Sequence, residues 1–288
     1  MQFQGAFTAL ATPFSSDGQL NENELRRFIQ FQIENGISGL VPCGTTGESP
    51  TLSYTEKKRI VQMTIDEASG KIPVIAGTGN YNTQETIEAT REAYEMGAKG
   101  ALVITPYYNK PTQEGLFLHF KAVADAVPEI DIVIYNVPSR TNVCISPETV
   151  ERLVEKCSNI TTIKDATGDL AHVLELKKRC GEQLTILSGE DSLIWPYIAC
   201  GAMGVVSVVS NVKPKETLGV VFSGLNNNVE TALEKQLELN SLIDHLFVET
   251  NPIPVKFMLN QMGFKFGEPR LPLHELSEIH HNKFKEFI

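Results

Sequence analysis

Paired cysteines, clustered histidines, long apolar runs and excess positive charge are all missing from this chain of 288 residues, and each absence excludes a class of protein. The 5 cysteines, Cys43, Cys144, Cys157, Cys180 and Cys200, are odd in number and contain no CxxC spacing. A disulfide framework or a thiolate zinc site is not expected, and a reducing cytoplasm suits such cysteines. The 6 histidines are His119, His172, His245, His274, His280 and His281, and only the last two are neighbours, so an imidazole metal cluster has little support. No apolar stretch approaches the roughly 18 residues of a membrane span. The first residues, MQFQGAFTALATPF, lack a basic n-region, and no signal peptide is expected. A net charge of -10 repels phosphate backbones and anionic lipid, which argues against nucleic-acid or membrane partners. Small anionic substrates stay open, because a few local cations and backbone N–H groups decide that binding.

The residues present, 42% apolar and 21% charged, are those of a globular domain. Eight β-rich runs recur: Phe7–Ala11, Gly39–Cys43, Val74–Gly77, Ala101–Thr105, Ile132–Asn136, Thr161–Lys164, Leu184–Ser188 and Gly204–Val208. Runs such as IVIY and VVSVV lack alternation, as strands buried on both faces of a parallel sheet do. Between them lie amphipathic segments. Leu25, Phe28, Ile29 and Ile33 share one helical face, as do Leu116, Phe117, Phe120, Val123, Ala124 and Val127. Asn82 with Glu85 has capping-box spacing, and Ser146 before Pro147 reads as a helix start. Eight such units predict an α/β fold of the (β/α)8 TIM-barrel type over residues 1–224. A doubly wound sheet is disfavoured, since no glycine fingerprint follows the first strand. Helical segments near 229–249, 253–262 and 273–287 read as a C-terminal extension, 225–288, packed on the barrel.

A barrel of this type places its chemistry at the C-terminal strand ends. Those ends carry mostly hydroxyls, with one lysine, one arginine and no histidine. Lys164 closes the run TTIK, where the low-dielectric barrel lining favours the neutral amine that a nucleophile needs. An ion pair with Asp165 or Glu190 explains a lysine there equally well. GTTGES at 44–49 reads as a plain turn, a phosphate cradle or a carboxylate cradle. The lysine of a Walker loop is replaced by Glu48, which disfavours phosphate, while the N–H groups of Thr45 and Thr46 suit a carboxylate. Tyr135 and Tyr108 are packing residues or proton carriers, and with Thr45 they would form a hydroxyl relay. Arg140 is a surface cation or a fork for a substrate carboxylate.

GTTGES with the following TLS, AGTG, TPYYNKPTQEGL, YNVPSRT, IKDATGD, LSGED and NPIPVK, in this order, resemble the pyruvate-dependent lyases. That family includes the N-acetylneuraminate lyases and other class I aldolases, and the match is to its 4-hydroxy-tetrahydrodipicolinate synthase (dihydrodipicolinate synthase) branch. The resemblance runs from about Phe3 to the C-terminus. It implies that Lys164 forms an imine with pyruvate, without metal or cofactor, and that Thr45, Tyr108 and Tyr135 relay protons. In such enzymes the residue matching Tyr108 reaches in from a neighbouring subunit of a homotetramer, a dimer of dimers. Thr46 resembles the cradle for the pyruvate carboxylate, Arg140 the residue that binds L-aspartate 4-semialdehyde, and Gly189 and Val206 positions lining the lysine's pocket. The implied reaction is the condensation of those two substrates on the route to diaminopimelate and lysine.

Ser49, Glu85 and Tyr107 match the effector site of lysine-inhibited relatives, whereas Tyr54, Lys57 and Tyr81 stand where those relatives often have histidine or asparagine. Weak or absent feedback inhibition is expected, because Lys57 adds positive charge near a cationic effector. The rival readings are a neuraminate or sugar-acid aldolase, which YNVPSRT argues against, a metal-dependent aldolase, and a barrel that binds without catalysis.

Overall fold

The computed structural model of the chain describes residues 3–287. Its strands are β1 (Gly5–Ala9), β2 (Gly39–Val41), β3 (Ile75–Gly77), β4 (Gly100–Ile104), β5 (Asp131–Asn136), β6 (Ile160–Asp165), β7 (Thr185–Ser188) and β8 (Gly204–Ser207). They form one parallel sheet in the order β2-β1-β8-β7-β6-β5-β4-β3, and a parallel bridge between Leu40 and Val74 joins its two edges. This is the (β/α)8 barrel that the sequence predicts. β1 ends two residues earlier than expected. Leu10 N still bonds Val41 O, but Ala11 N turns away to the Asn211 side chain.

The unalternating runs are explained by two separate cores. On β5, Ile132 and Ile134 point out into the layer between sheet and helices, while Val133 and Tyr135 point into the barrel. Burial on both faces removes the polar face that an exposed strand would show. Phe3 and Phe7 pack edge to face at 5.8 Å within the barrel interior, where full burial of each stabilises by roughly 2–3 kcal/mol.

The helices follow their start signals. Ser53 accepts from Glu56 N while the Glu56 carboxylate accepts from Ser53 N, a complete capping box. Ser146 caps the helix Pro147–Lys156 with proline at its first position. Asn82 differs from the expectation. Its side chain accepts from Gln84 N and Glu85 N, but its own N–H goes to Asn80, so the box is half made. The faces expected to be buried are buried: Leu25, Phe28 and Ile29 on Glu22–Glu34, and Leu116, Phe120 and Val123 on Gln113–Ala126.

After β8 come the helices Pro214–Leu225, Val229–Leu246 and Ile253–Gln261. Residues 273–287, expected to be helical, are helical only over Glu278–His281 and in a 3-10 turn at Asn282–Phe287. Ser277 N donates to the Glu249 carboxylate at 3.2 Å rather than to a carbonyl one turn back, so the helix begins only after it. The stretch 264–271 is a strap across the segments that follow β1 and β2: Phe14 N bonds Phe266 O, and Arg270 reaches Gly18 O, Thr51 O and the Glu56 carboxylate. Among the described residues, no helix is long and apolar enough to cross a membrane.

Candidate active site

Side chains alternate across a strand, so neighbours on β5 and β6 have opposite fates. Tyr135 and Lys164 are register partners that face into the barrel, and Asn136 and Asp165 are the next pair, facing out. Asp165 therefore cannot be the ion-pair partner that the sequence left open for Lys164. Its carboxylate accepts from Asn136, Thr167 and Tyr197, and lies 3.1 Å from His172 Nδ1. Glu190 is not within ion-pair distance of Lys164 either, among the described residues. Lys164 is 6% exposed, and its Nζ sits 4.2 Å from the centre of the Tyr135 ring.

The mouth above Lys164 holds a cavity of about 230 Å³ whose walls include Thr45, Thr46, Tyr135, Arg140, Gly189 and Glu190. It is smaller than the sites that take drug-sized ligands, so its occupants are small molecules. Gly189 is required by space: a Cβ there would lie 2.6 Å from Ala166 Cβ and 3.1 Å from Lys164 Cε. Val206 lies deeper, in the barrel-interior cluster with Tyr135 and Leu187.

The GTTGES loop is held from below. Glu48, in a left-handed conformation, is buried against Lys256 Nζ at 2.8 Å and Arg270 N at 2.8 Å. Burial lowers Lys256 to about 8, although the Glu48 charge and hydrogen bond oppose the shift. Asn251 Nδ2 donates to Thr46 Oγ1 at 3.0 Å, and Thr12 Oγ1 to Gly47 O at 2.8 Å. Among the described residues, neither Thr45 N nor Thr46 N donates to another backbone group, which leaves both amides for an anion at the cavity wall. Arg140, exposed in the short helix Pro138–Thr141, lines the same cavity with its Nη2 3.5 Å from Asn251 O.

Three of the four expected catalytic residues, Lys164, Tyr135 and Thr45, therefore share one cavity. Tyr108 does not. It is 90% exposed at φ 67° in the loop after β4, outside the walls of that cavity. A second cavity of about 240 Å³ opens from the first across Thr45, Tyr135 and Arg140, with Ser49, Lys57 and Tyr107 on its far wall. A third, of about 390 Å³, shares Ser49 and Lys57 and adds Tyr54 and Glu85. Ser49 and Glu85 thus share a wall, and Tyr107 lies next door. Tyr107 meets the Tyr81 ring edge-on at 5.1 Å, and burial, with Tyr81 and Glu85 near, raises its hydroxyl's pKa.

Asn251 and Glu190 line the first cavity but were not singled out as site residues from the sequence. Asn251 was visible only as part of NPIPVK. Glu190 appeared only as a candidate ion-pair partner. Its carboxyl is pushed up to about 7, first by burial and then by Asp191, against the pull of Lys164. A carboxyl directly after the strand-end SG of LSGED was the available signal.

Known proteins share this chain's sequence and barrel. The model of the dihydrodipicolinate synthetase family matches residues 2–288. A 4-hydroxy-tetrahydrodipicolinate synthase of Geotalea uraniireducens is 48% identical over 283 residues, 98% of this chain and 96% of that one. One of Nitratidesulfovibrio vulgaris is 46% identical over 288 residues, 100% of this chain and 98% of that one. The crystal structure of the Aquifex aeolicus dihydrodipicolinate synthase superposes with a TM-score of 0.97 at 45% identity, covering 99% of this chain and 97% of that one. A family model matched over residues 2–288, and a barrel shared end to end with these proteins, make this chain a member of the dihydrodipicolinate synthetase family.

Proposed function

We propose that the chain condenses pyruvate with L-aspartate 4-semialdehyde through an imine on Lys164, the activity for which its relatives are named. The observation that carries this reading is Lys164 itself, buried, free of any ion pair among the described residues, and in contact with Tyr135. The pyruvate carboxylate accepts from the amides of Thr45 and Thr46, which aims its ketone carbon at Lys164 Nζ. Attack gives a carbinolamine, and loss of water gives the imine. Tyr135 and Thr45 carry protons to and from that oxygen, a task for which no histidine lines the cavity. Once protonated, the imine takes up the electrons of a methyl C–H bond as that proton leaves to the hydroxyl relay, giving an enamine that adds to the aldehyde, so neither metal nor cofactor is called for. The substrate amine then displaces Lys164 and closes the ring. Arg140 holds the carboxylate of the second substrate at the mouth.

Tyr108 completes the relay from a neighbouring chain in a homotetramer built from dimers. Its exposure in a single chain supports that arrangement. Residues 1–224 carry the chemistry, and 225–288 buttress it through Asn251 and Lys256. Ser49, Glu85 and Tyr107 would form an effector site with weak or no response to lysine, because Lys57 stands in its wall.

Borohydride reduction with pyruvate, followed by mass mapping, tests the core. A pyruvyl adduct is expected on Lys164 and nowhere else. An adduct on another lysine, or none, would falsify the reading.

A further inference from the structure

The proposed reaction leaves one proton without an acceptor. L-Aspartate 4-semialdehyde carries its amine as an ammonium at neutral pH, and an ammonium has no lone pair with which to displace Lys164. A group in the cavity must take that proton, and the hydroxyls of Tyr135 and Thr45 already serve the carbinolamine oxygen.

The cavity wall sorts into donors and acceptors. The amides of Thr45 and Thr46 and the Arg140 guanidinium donate, and suit carboxylates. Two acceptors share the wall with them and have nothing to accept from. Asn251 is 5% exposed and commits its Nδ2 to Thr46 Oγ1 at 3.0 Å, while its Oδ1 is buried without a hydrogen-bond partner. Buried acceptors are normally satisfied, so this one is built for a donor that the chain does not supply. Glu190 is the second. Its backbone is pinned by Ser188, whose hydroxyl donates to Glu190 O at 3.0 Å and accepts from Glu190 N at 3.1 Å. Its carboxylate receives no hydrogen bond and no ion pair among the described residues, yet lines the cavity. Arg140 Nη2 lies 3.5 Å from Asn251 O, so the guanidinium and the Asn251 side chain belong to one corner of that cavity. The pyruvate anion has no N–H or O–H for such acceptors, whereas an ammonium group has three N–H donors.

We propose that Asn251 Oδ1 and the Glu190 carboxylate receive the α-ammonium of L-aspartate 4-semialdehyde, and that Glu190 is the catalytic base that frees its amine. This step rests on the function proposed above. Glu190 takes one proton from the ammonium, which leaves a lone pair on nitrogen. That pair forms the new C–N bond to the imine carbon, and the π electrons of the protonated imine pass to the Lys164 nitrogen. Glu190 then gives its proton to that nitrogen and takes one from the ring nitrogen. The remaining pair on the ring nitrogen forms the C=N bond, the bond from carbon to Lys164 breaks, and Lys164 leaves as a neutral amine. The proton left on Glu190 passes to solvent. Burial raises the Glu190 carboxyl above its ordinary value, Asp191 and Asp165 push the same way, and Lys164 and Arg140 oppose them. The balance brings it to about 7, toward the range of α-amino groups, as proton transfer between the two requires.

The test is a single turnover on the intact protein. Pyruvate is bound first, L-aspartate 4-semialdehyde is mixed in, and borohydride stops the reaction before mass analysis. Glu190→Gln is expected to form the pyruvyl adduct at the native rate, to hold the condensed adduct of both substrates on Lys164, and to release product roughly a hundredfold more slowly. Native protein given succinate semialdehyde, which has hydrogen in place of the ammonium, should hold the same kind of adduct. Glu190→Asp should recover part of the release. In the native protein release should slow as pH falls through about 7, and Glu190→Gln should lose that inflection. Release from Glu190→Gln at the native rate, or an inflection that the variant keeps, overturns the proposal. Should the variant not fold, the native profile decides: a fall through about 7 supports the base, and a flat profile sinks it. Asn251→Leu is expected to raise the KM for L-aspartate 4-semialdehyde severalfold more than that for pyruvate, and an equal rise in both overturns its part. Native protein that yields no condensed adduct and no product sinks the function proposed above, and this step with it.

Discussion

At the scale of the residue, the site joins one amine to one carboxyl whose charge changes near neutral pH. Glu190 titrates at about 7, beside Lys164 and within the cavity that must admit an anionic keto acid. Below that pH the carboxyl is neutral, and above it a negative charge faces the substrate carboxylate. The KM for pyruvate is therefore expected to rise as pH passes upward through about 7, and Glu190→Gln should remove that inflection. A profile identical in the variant would sink this account. The raised value also has a sign for stability. Glu190 lends its full contribution below its ordinary value of 4.5, and withdraws it as pH rises through about 7.

Lys164 was legible because TTIK ends in a charge where the strand should end, and a barrel strand has no exposed face to absorb it. That Asp165 turns away from Lys164 toward His172 was not legible, because its direction follows from strand register and not from local spacing. The same holds for Asn251 and Thr46, which meet across more than two hundred residues.

At the scale of the element, what holds the GTTGES loop is a buried ion pair. Glu48 and Lys256 are 2% and 0% exposed, and the Lys256 ammonium also lies 4.2 Å from the centre of the Phe14 ring. Removing one partner strands the other's charge in the core, at a cost of about 3–5 kcal/mol. Lys256→Met is expected to lower the midpoint of urea unfolding accordingly, while the double change with Glu48→Gln recovers part of the loss. Equal stability of the single and double variants would contradict a paired role. Strand positions were readable because two-sided burial writes itself as unbroken apolar runs. The stretch 273–287 departs from its helical spacing because Ser277 N is taken by the Glu249 carboxylate, which leaves one short helix and a 3-10 turn, a contact no local spacing marks.

At the scale of the whole molecule, a single chain presents Lys164, Thr45 and Tyr135 in one cavity without the third hydroxyl, that of Tyr108. If Tyr108 acts across an interface, damage to it and damage to Lys164 fall in different active sites of one assembly. Mixing Tyr108→Phe with Lys164→Ala under subunit exchange should restore activity that neither variant has, because some sites then combine an intact lysine with an intact tyrosine. No recovery, with exchange verified by mass, would place Tyr108 in its own chain's site or outside the chemistry. The barrel was readable as a whole from its eight repeating units. The assembly was not, since an exposed tyrosine in a loop carries no local mark of where it points.

The strap across the segments after β1 and β2 sets an order of events in synthesis. Glu48 emerges early, yet the groups that neutralise and cap it, Lys256 and Arg270, emerge last. A nascent chain with all eight strands released still lacks the counter-ion beneath Thr45 and Thr46. Catalytic competence thus arrives with the final helices rather than with closure of the sheet, and a ribosome that stalls before them leaves a barrel with an unfinished floor under its substrate.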